Sequence, residues 1–400
     1  MSQTPSGLQN EINILHTYCN KWKLEINLSK TKVMIFSKRS LKTSNKWNYG
    51  NKNINCVTSY TYLGILMTSS GNFTKAKQIL SEKASKALFA LNRALLFNTD
   101  INIFIKLFNS NIKPILLYGA EIWGSEIIDF TKWDRGAIEK IHLKYCKRIL
   151  GLNKYASNAA CRSEIGSYPL LTEVHISMFK YWLRIRELPE NNITKWAYNE
   201  QKNPHNSYTW MSTIKSILTD INQNSLYDTE ETIINSKFKN LINNVKCQMK
   251  QTYTDHWRSN IMKDGSKLRT YSKFKQDYCY EQYLSAVINI NQRISLTKFR
   301  TSNHDLSIEV GRYTRPKTPL LDRICLHCDM HKVEDEEHLL IVCPKYKTLR
   351  QDLFSHIILP NEIESNNDKF QFLMKITDKF SIKHVAQFVF MAFQQRTTNT

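Results

Sequence analysis

Residues 60–96 read YTYLGILMTSSGNFTKAKQILSEKASKALFALNRALL, and the pattern changes partway through. Before Gly71 the apolar residues form a short run, Tyr62-Leu-Gly-Ile-Leu-Met67, which predicts a strand. Gly64 inside it predicts a bulge or a close backbone approach. After Gly71, Ala76, Ile79, Leu80, Ala84, Ala87, Leu88, Leu91 and Leu95 recur at spacings of three and four. That is one stripe of a helix, with Lys75, Lys77, Lys83, Lys86 and Arg93 largely off it. Strand chemistry before this point and helix chemistry after it set the fold class as α+β and mostly α. A small antiparallel β-meander comes first, then a helical middle, then a helical C-terminal domain.

Residues 7–23 predict a helix, with Leu8, Ile12, Leu15, Cys19 and Trp22 at helical spacing. Lys32-Val-Met-Ile-Phe36 predicts a strand, and residues 46–57 a hairpin about Gly50-Asn51. Downstream, residues 101–118 and 132–150 predict two helices, the second carrying Lys140, Lys144, Lys147 and Arg148. Residues 190–250 are rich in Asn, Lys, Ser and Thr and read as a loose spacer or peripheral helices. The segments are then 1–70 for the strands, 71–190 for the basic helices and 191–255 for the Asn/Lys-rich linker or peripheral helices. A basic-aromatic helical region covers 256–324, a Cys/His motif 325–346 and C-terminal helices 347–400. No fixed-period repeat is visible.

The chain has 400 residues, of which 56 are Lys or Arg and 35 Asp or Glu, a net charge of +21. A field of that sign favours polyanions, nucleic acid first. Residues 1–99 hold fourteen Lys/Arg against Glu11, Glu25 and Glu82, so half of the excess sits in the first quarter. Between 258 and 323, thirteen basic residues against six acidic ones interleave with aromatics such as Tyr271, Phe274 and Phe299. Such a mixture suits single-stranded or irregular nucleic acid, by stacking on bases while cations meet phosphates. Solvated basic faces on an amphipathic helical domain would give the same pattern. The first residues show no basic-then-apolar leader, and no apolar run approaches the ~20 residues of a spanning helix. Nine cysteines in a chain of this size argue against a secreted disulfide framework. The expectation is a reduced protein of nucleus or cytoplasm, with no membrane partner.

The sharpest chemical signal is Cys325-Leu-His-Cys328, then nine residues, then His338, then four residues, then Cys343. Two Cys separated by two residues bind Zn²⁺ from one tight turn, and a distant His/Cys pair completes four ligands. His327 or His331 could replace His338. Glu336-Glu337-His338-Leu-Leu-Ile-Val342 reads as helix, with acids in the first turn as the dipole prefers. Residues five apart on an ideal helix point about 140° apart. His338 and Cys343 therefore converge only if the helix loosens before Pro344, which also pushes Cys343 out of the α region. Cys19, Cys56, Cys146, Cys161, Cys247 and Cys279 show no such pattern and read as core thiols. Residues 329–337 hold Asp329, Glu334, Asp335, Glu336 and Glu337 against Lys332 alone. An acidic motif is a poor phosphate magnet, which favours a brace or a protein adaptor over a DNA reader.

Three stretches together resemble LINE-type (non-LTR) retrotransposon reverse transcriptases. LHTYCNKWKLEINLSKTKVMIF at 15–36 resembles the segment after the catalytic carboxylates, and YTYLGILM at 60–67 the primer-grip hairpin. LTKFRTSNHDLSIEVGRYTRPKTPLLDRICLHC, continued by VEDEEHLLIVCPKY, resembles the C-terminal region with its Cys-Cys-His-Cys knuckle. IKPILLYGAEIWG at 112–124 fits the thumb and connection between them. The resemblance implies a palm edge over 1–70, a thumb over 71–190 and a zinc knuckle. It places Lys30 and Lys32 beside an incoming nucleotide, Lys30 foremost, and Tyr62, Leu63 and Gly64 at the primer-grip turn. Cys325, Cys328, His338 and Cys343 become the structural Zn²⁺ ligands. RNA and DNA are the implied partners, with a protein partner through the acidic knuckle as the alternative. Lys75, Lys83, Lys86 and Arg93 of the first thumb helix are the candidate phosphate contacts.

Two-metal polymerisation with Mg²⁺ needs carboxylates. The 400 residues contain no Asp-Asp pair, and the first Asp is Asp100. No Gly-rich phosphate loop or Ser/His/Asp arrangement offers other chemistry. The expectation is a truncated polymerase portion that binds nucleic acid without catalysis, unless a longer isoform supplies the rest.

Overall fold

Thr4 opens the first helix: its hydroxyl accepts from the Gly7 amide at 3.1 Å, and Pro5 fills the first turn. In the computed structural model that helix, α1, runs Pro5–Lys21. The structure describes residues 2–37, 46–94, 100–126, 129–202, 209–228, 235–263 and 265–397. The chain divides into two units, Met1–Lys83 and Ala84–Thr400.

In the first unit, β1 (Trp47–Tyr49) and β2 (Lys52–Ile54) form the hairpin about Gly50-Asn51. Ile12 of α1 packs with Val33, Trp47 and Ile54 in a small core. The Gln9 amide fastens helix to strand, accepting from the Asn48 amide at 2.9 Å and donating to its carbonyl at 2.7 Å. Leu15 and Trp22, predicted on the apolar face of α1, are exposed, because this core reaches only the Ile12 and Cys19 side. The expected strand 32–36 is reduced to one parallel bridge between Val33 and Cys56.

The run 62–67 is not one strand. β3 (Ser59–Tyr62) turns directly into β4 (Ile65–Thr68) through Leu63-Gly64. Both turn residues have positive φ, +47° and +84°, as a two-residue hairpin requires. Gly64 thus serves the turn rather than a bulge. The two hairpins are separate two-stranded sheets, so the expected meander is split.

The helix α2 (Thr74–Ala94) follows the predicted stripe, with Ala76, Leu80, Ala84 and Leu88 buried. Leu95 lies outside the described residues. Lys77, expected off the stripe, is buried instead; its four-carbon stem can pack as an apolar group.

In the second unit, α3 (Ile101–Leu107) continues through a widened π turn at Phe108–Ile112 into Lys113–Leu116, close to the predicted 101–118. The predicted helix 132–150 is broken. A single turn, Phe130–Trp133, precedes α4 (Ala137–Ile149), because Asp134 is drawn to Arg162 and Gly136 adopts an extended cap. Next come α5 (Asn158–Glu164) and α6 (Leu170–Arg186). The helix α6 buries Leu171, Val174, Met178, Phe179 and Trp182, apolar on most sides, and so occupies the middle.

The described residues of 190–250 are mostly helical, which fits the peripheral helices expected there rather than the loose spacer. The helices α7 (Ile193–Gln201), α8 (Trp210–Asp220) and α9 (Asn235–Ile261) all rest on α6. Met211, Ile214, Ile217 and Leu218 supply the buried face, and the Trp210 indole donates to the Glu121 carbonyl at 2.8 Å. After α10 (Ile290–Arg300) come α11 (Lys347–His356), α12 (Asn366–Lys375) and α13 (Lys379–Thr397). The helix α13 receives both α10 and α11 on its apolar face. Among the described residues no helix is long and apolar enough to cross a membrane.

Candidate metal centre

The Cys/His motif begins on a single antiparallel bridge, Ile324 with Val333. The Cys325 amide donates to the Lys332 carbonyl at 2.8 Å and the Glu334 amide to the Arg323 carbonyl at 2.9 Å. This short ladder closes the loop that holds Cys325 and Cys328. The second pair comes from the expected helix, and it loosens as the sequence requires. Residues His338–Val342 form a π turn, and the Cys343 amide reaches back to the His338 carbonyl at 2.7 Å. An i→i+5 turn brings residues five apart onto one side of the helix. Cys343 then leaves in an extended conformation before Pro344. Arg350 of α11 secures the opened turn, donating to the carbonyls of Leu340 and Cys343 at 2.9 and 2.8 Å. Asp335 accepts from the His338 amide at 2.8 Å, and α12 packs against the turn.

The ligand atoms of Cys325, Cys328, His338 and Cys343 all lie within 4.8 Å of one another. The Cys325 and Cys343 sulfurs are 4.0 Å apart, and Cys328 Sγ is 3.4 Å from His338 Nε2. Ligands on one Zn²⁺, with Zn–S of ~2.3 Å and Zn–N of ~2.0 Å, stand about 3.5–3.8 Å apart. The sulfurs are far beyond the ~2.05 Å of a disulfide. Cys325, His338 and Cys343 are buried, and Cys328 is half-buried. The residues present therefore fit a Cys₃His metal set, in which a metal would supply folding energy rather than reaction chemistry. Without it, the Cys343 hydrogen bond pushes the Cys325 thiol up to about 12, while the same contact holds Cys343 below its usual range. His327 stands outside the set, its Nδ1 3.2 Å from Lys345 Nζ, and His331 is exposed.

The acidic residues around the motif face inward. Glu336 accepts from Ser302 and Thr270 hydroxyls at 2.7 and 2.8 Å, and from His304 and Arg269 at 3.0 Å each. Burial alone would raise its pKa; His304 and Arg269 hold it well below the usual carboxylate range. Glu334 pairs with Arg396 of α13 and accepts from the Ser307 amide and hydroxyl. These partners lie 27 to 67 residues away, and no local pattern marks them. Asp329 is exposed, and Asp335 and Glu337 are half-buried.

The basic-aromatic region 256–324 is likewise turned inward at most of its named positions. Arg300 pairs with Glu164 and Glu281 and lies over the rings of Phe274 and Tyr283. Lys275 pairs with Glu281, and Arg269 and Arg312 with Glu309. Tyr271, Phe274 and Phe299 are core. Stacking on bases by these rings, expected from sequence, is replaced by internal packing. Arg258, Tyr313 and Arg315 are exposed.

The remaining candidates are not brought into this centre. Lys30 is exposed, with its carbonyl accepting from the Tyr60 hydroxyl at 2.9 Å, and Lys32 is half-buried. Tyr62, Leu63 and Gly64 are exposed at the hairpin tip. Lys75, Lys83, Lys86 and Arg93 are exposed along α2. Of the six cysteines read as core thiols, Cys19, Cys146 and Cys161 are buried, whereas Cys56, Cys247 and Cys279 are exposed. Comparison of the chain with protein-family models, curated proteins and solved structures finds no match.

Proposed function

We propose that this chain is a zinc-braced nucleic-acid-binding protein, related to the C-terminal portion of LINE-type reverse transcriptases. The observation that carries the reading is the convergence of Cys325, Cys328, His338 and Cys343 within 4.8 Å. These are the four positions at which the sequence resembles the family's knuckle. The net charge of +21 and the exposed Lys30, Lys75, Lys83, Lys86 and Arg93 support binding to phosphate backbones. The 400 residues offer no Asp-Asp pair for two-metal chemistry, so binding rather than catalysis is assigned to them. A protein-adaptor reading rested on an acidic knuckle surface, and the burial of Glu334 and Glu336 weakens it.

Purified chain should carry one zinc and bind primer–template with an affinity that falls steeply with salt, as released counterions demand. Changing Lys75, Lys83, Lys86 and Arg93 to Gln should lower affinity uniformly across sequences. Salt-independent binding, or a changed sequence preference in that variant, counts against the assignment.

A further inference from the structure

Within the second unit, a cavity of about 660 Å³ opens between the start of α5, the end of α4 and the C-terminal end of α9. Its size is that of a small-ligand site. Besides Arg162, five cations line it: Arg135, Lys147, Lys154, Lys263 and Lys267. They come from four separate stretches of chain, so no single basic run in the sequence announces them.

The carboxylate lining the cavity is Asp134, and it is already engaged. Arg162 donates to both of its oxygens, at 2.7 and 3.0 Å, and Asn158 donates to one at 3.2 Å. Among the described residues, none of the five cations has an ion-pair partner. The positive charge of this concavity is therefore only partly offset from within: Lys147 donates to the Lys154 carbonyl at 2.9 Å and feels Asp134, and Lys267 feels Glu309. Like charges around a low-dielectric hollow focus a field that draws in an anion.

A second observation is independent of the lysines. Arg162 and Trp257 also line the cavity, and both are buried. Arg162 Nε and the Trp257 indole nitrogen are buried N–H donors without a hydrogen-bond partner. Leaving such a donor unpaired in the interior is costly. Both orphans are donors set in the cavity wall, each nitrogen itself closed to solvent, so that an anion reaches them only if the wall shifts. Lys147 and Lys267 agree with this: burial pushes both ammonium groups below their ordinary range, a cost that a bound anion would offset.

We propose that this cavity binds a phosphate group, presented either as a backbone phosphate of single-stranded nucleic acid or as a free phosphate or nucleotide. Phosphate is favoured over a single carboxylate because several cations surround one hollow, and phosphate offers more oxygens and more charge. The proposal does not rest on the family reading, and it concerns residues other than those of α2.

The test uses the full zinc-loaded chain and a variant with Arg135→Gln, Lys154→Gln and Lys263→Gln. All three side chains are exposed, so the fold should persist, and thermal unfolding checks that it does. The probes are a fluorescent twelve-residue oligothymidylate and inorganic pyrophosphate. A control variant replaces the exposed Lys317, Lys347 and Lys379 with Gln. If the phosphate comes from nucleic acid, the cavity variant should bind the oligonucleotide at least tenfold more weakly. Its salt slope should fall by about 2, since each phosphate of a single strand that is no longer neutralised removes ~0.7. The control should change affinity less than threefold. If the source is free phosphate, oligonucleotide binding stays unchanged while pyrophosphate shields Lys154 and Lys263 from an amine-reactive label read by mass spectrometry. Pyrophosphate shielding with no nucleic-acid binding by the native chain would sink the proposed function and keep the cavity. Unchanged oligonucleotide binding together with no shielding overturns the proposal.

Discussion

Two fully buried thiols, Cys343 and Cys146, sit in polar clusters of opposite construction. Around Cys343, four soft donors crowd within 4.8 Å and no side-chain cation is among them. Around Cys146, a carboxylate is surrounded by donors. Glu139 accepts from the Trp133 indole at 2.6 Å, His142 and Arg162 at 2.8 Å, and the Leu170 amide at 2.9 Å. His142 uses its other nitrogen on the Ser167 hydroxyl at 2.9 Å, and the Cys146 and Glu139 groups beside it favour the charged ring. The second cluster is closed by its own cations. The first becomes closed only with a metal. What separates a ligand set from a structural network is thus whether the protein already supplies the opposite charge.

The strongest way to break this contrast is to remove the metal. Chelation, or Cys343→Ser, should take bound zinc from one per chain to none and lower the melting temperature by more than about 10 °C, since a structural site contributes folding energy directly. Elemental analysis and thermal unfolding measure both, and an unmoved melting point would place the brace elsewhere.

Glu139→Gln comes next. It keeps the shape but leaves His142 without its carboxylate and Arg162 with Asp134 alone, and should cost about 3–5 kcal/mol in urea unfolding. Zinc content should stay at one. Loss of zinc in this variant would show that the two clusters are one cooperative unit.

Acid should separate them in order. Burial alone would raise the Glu139 carboxyl, but His142 and Arg162 hold it at about 2. Its folded pKa is depressed, so its stabilisation is present above the unfolded value near 4.3 and disappears as pH falls towards 2. Burial alone would lower His142, but Cys146 and Glu139 raise it to about 10. That contribution is complete below the unfolded value near 6.5 and fades as pH rises through 10. The network is therefore firmest between about pH 4.5 and 6.5. Thiolate ligands take up protons and release metal in mild acid. A zinc-sensitive dye should respond at higher pH than the loss of helical signal below 4.5. Simultaneous transitions would contradict separate construction.

The smallest effect is expected from Cys146→Ala. Residue type and burial match Cys343, yet the loss should be only about 1 kcal/mol, a small cavity's worth, with zinc unchanged. An effect as large as that of Cys343→Ser would end the comparison.

The metal centre was legible because its ligands come in two close pairs, and because Pro344 marks where the helix must open. The spacing rule needs only local chain geometry. The helix stripe of α2 was legible for the same reason, and so was the hairpin at Gly50-Asn51. The turn at Leu63-Gly64 was not: a leucine with φ of +47° is a poor advertisement for a two-residue turn. The Asn-rich stretch holding α8 looked unable to bury a face, yet Met211, Ile214, Ile217 and Leu218 were present at helical spacing within it. Composition averaged over the whole stretch hid a short run of helical periodicity.

The sequence alone determined the elements, the ligand pairs and the sign of the overall charge, because each follows from neighbours along the chain. Only the tertiary structure decided which charges remain available. Arg269, Lys275 and Arg300 are spent on Glu309, Glu281, Glu164 and Glu336, at separations of 6 to 136 residues. Arg135, Lys147, Lys154, Lys263 and Lys267 gather around one hollow instead. A buried charge must find its opposite wherever folding brings one, and for Arg269 and Arg300 that partner lies 40 to 136 residues away, outside any local window.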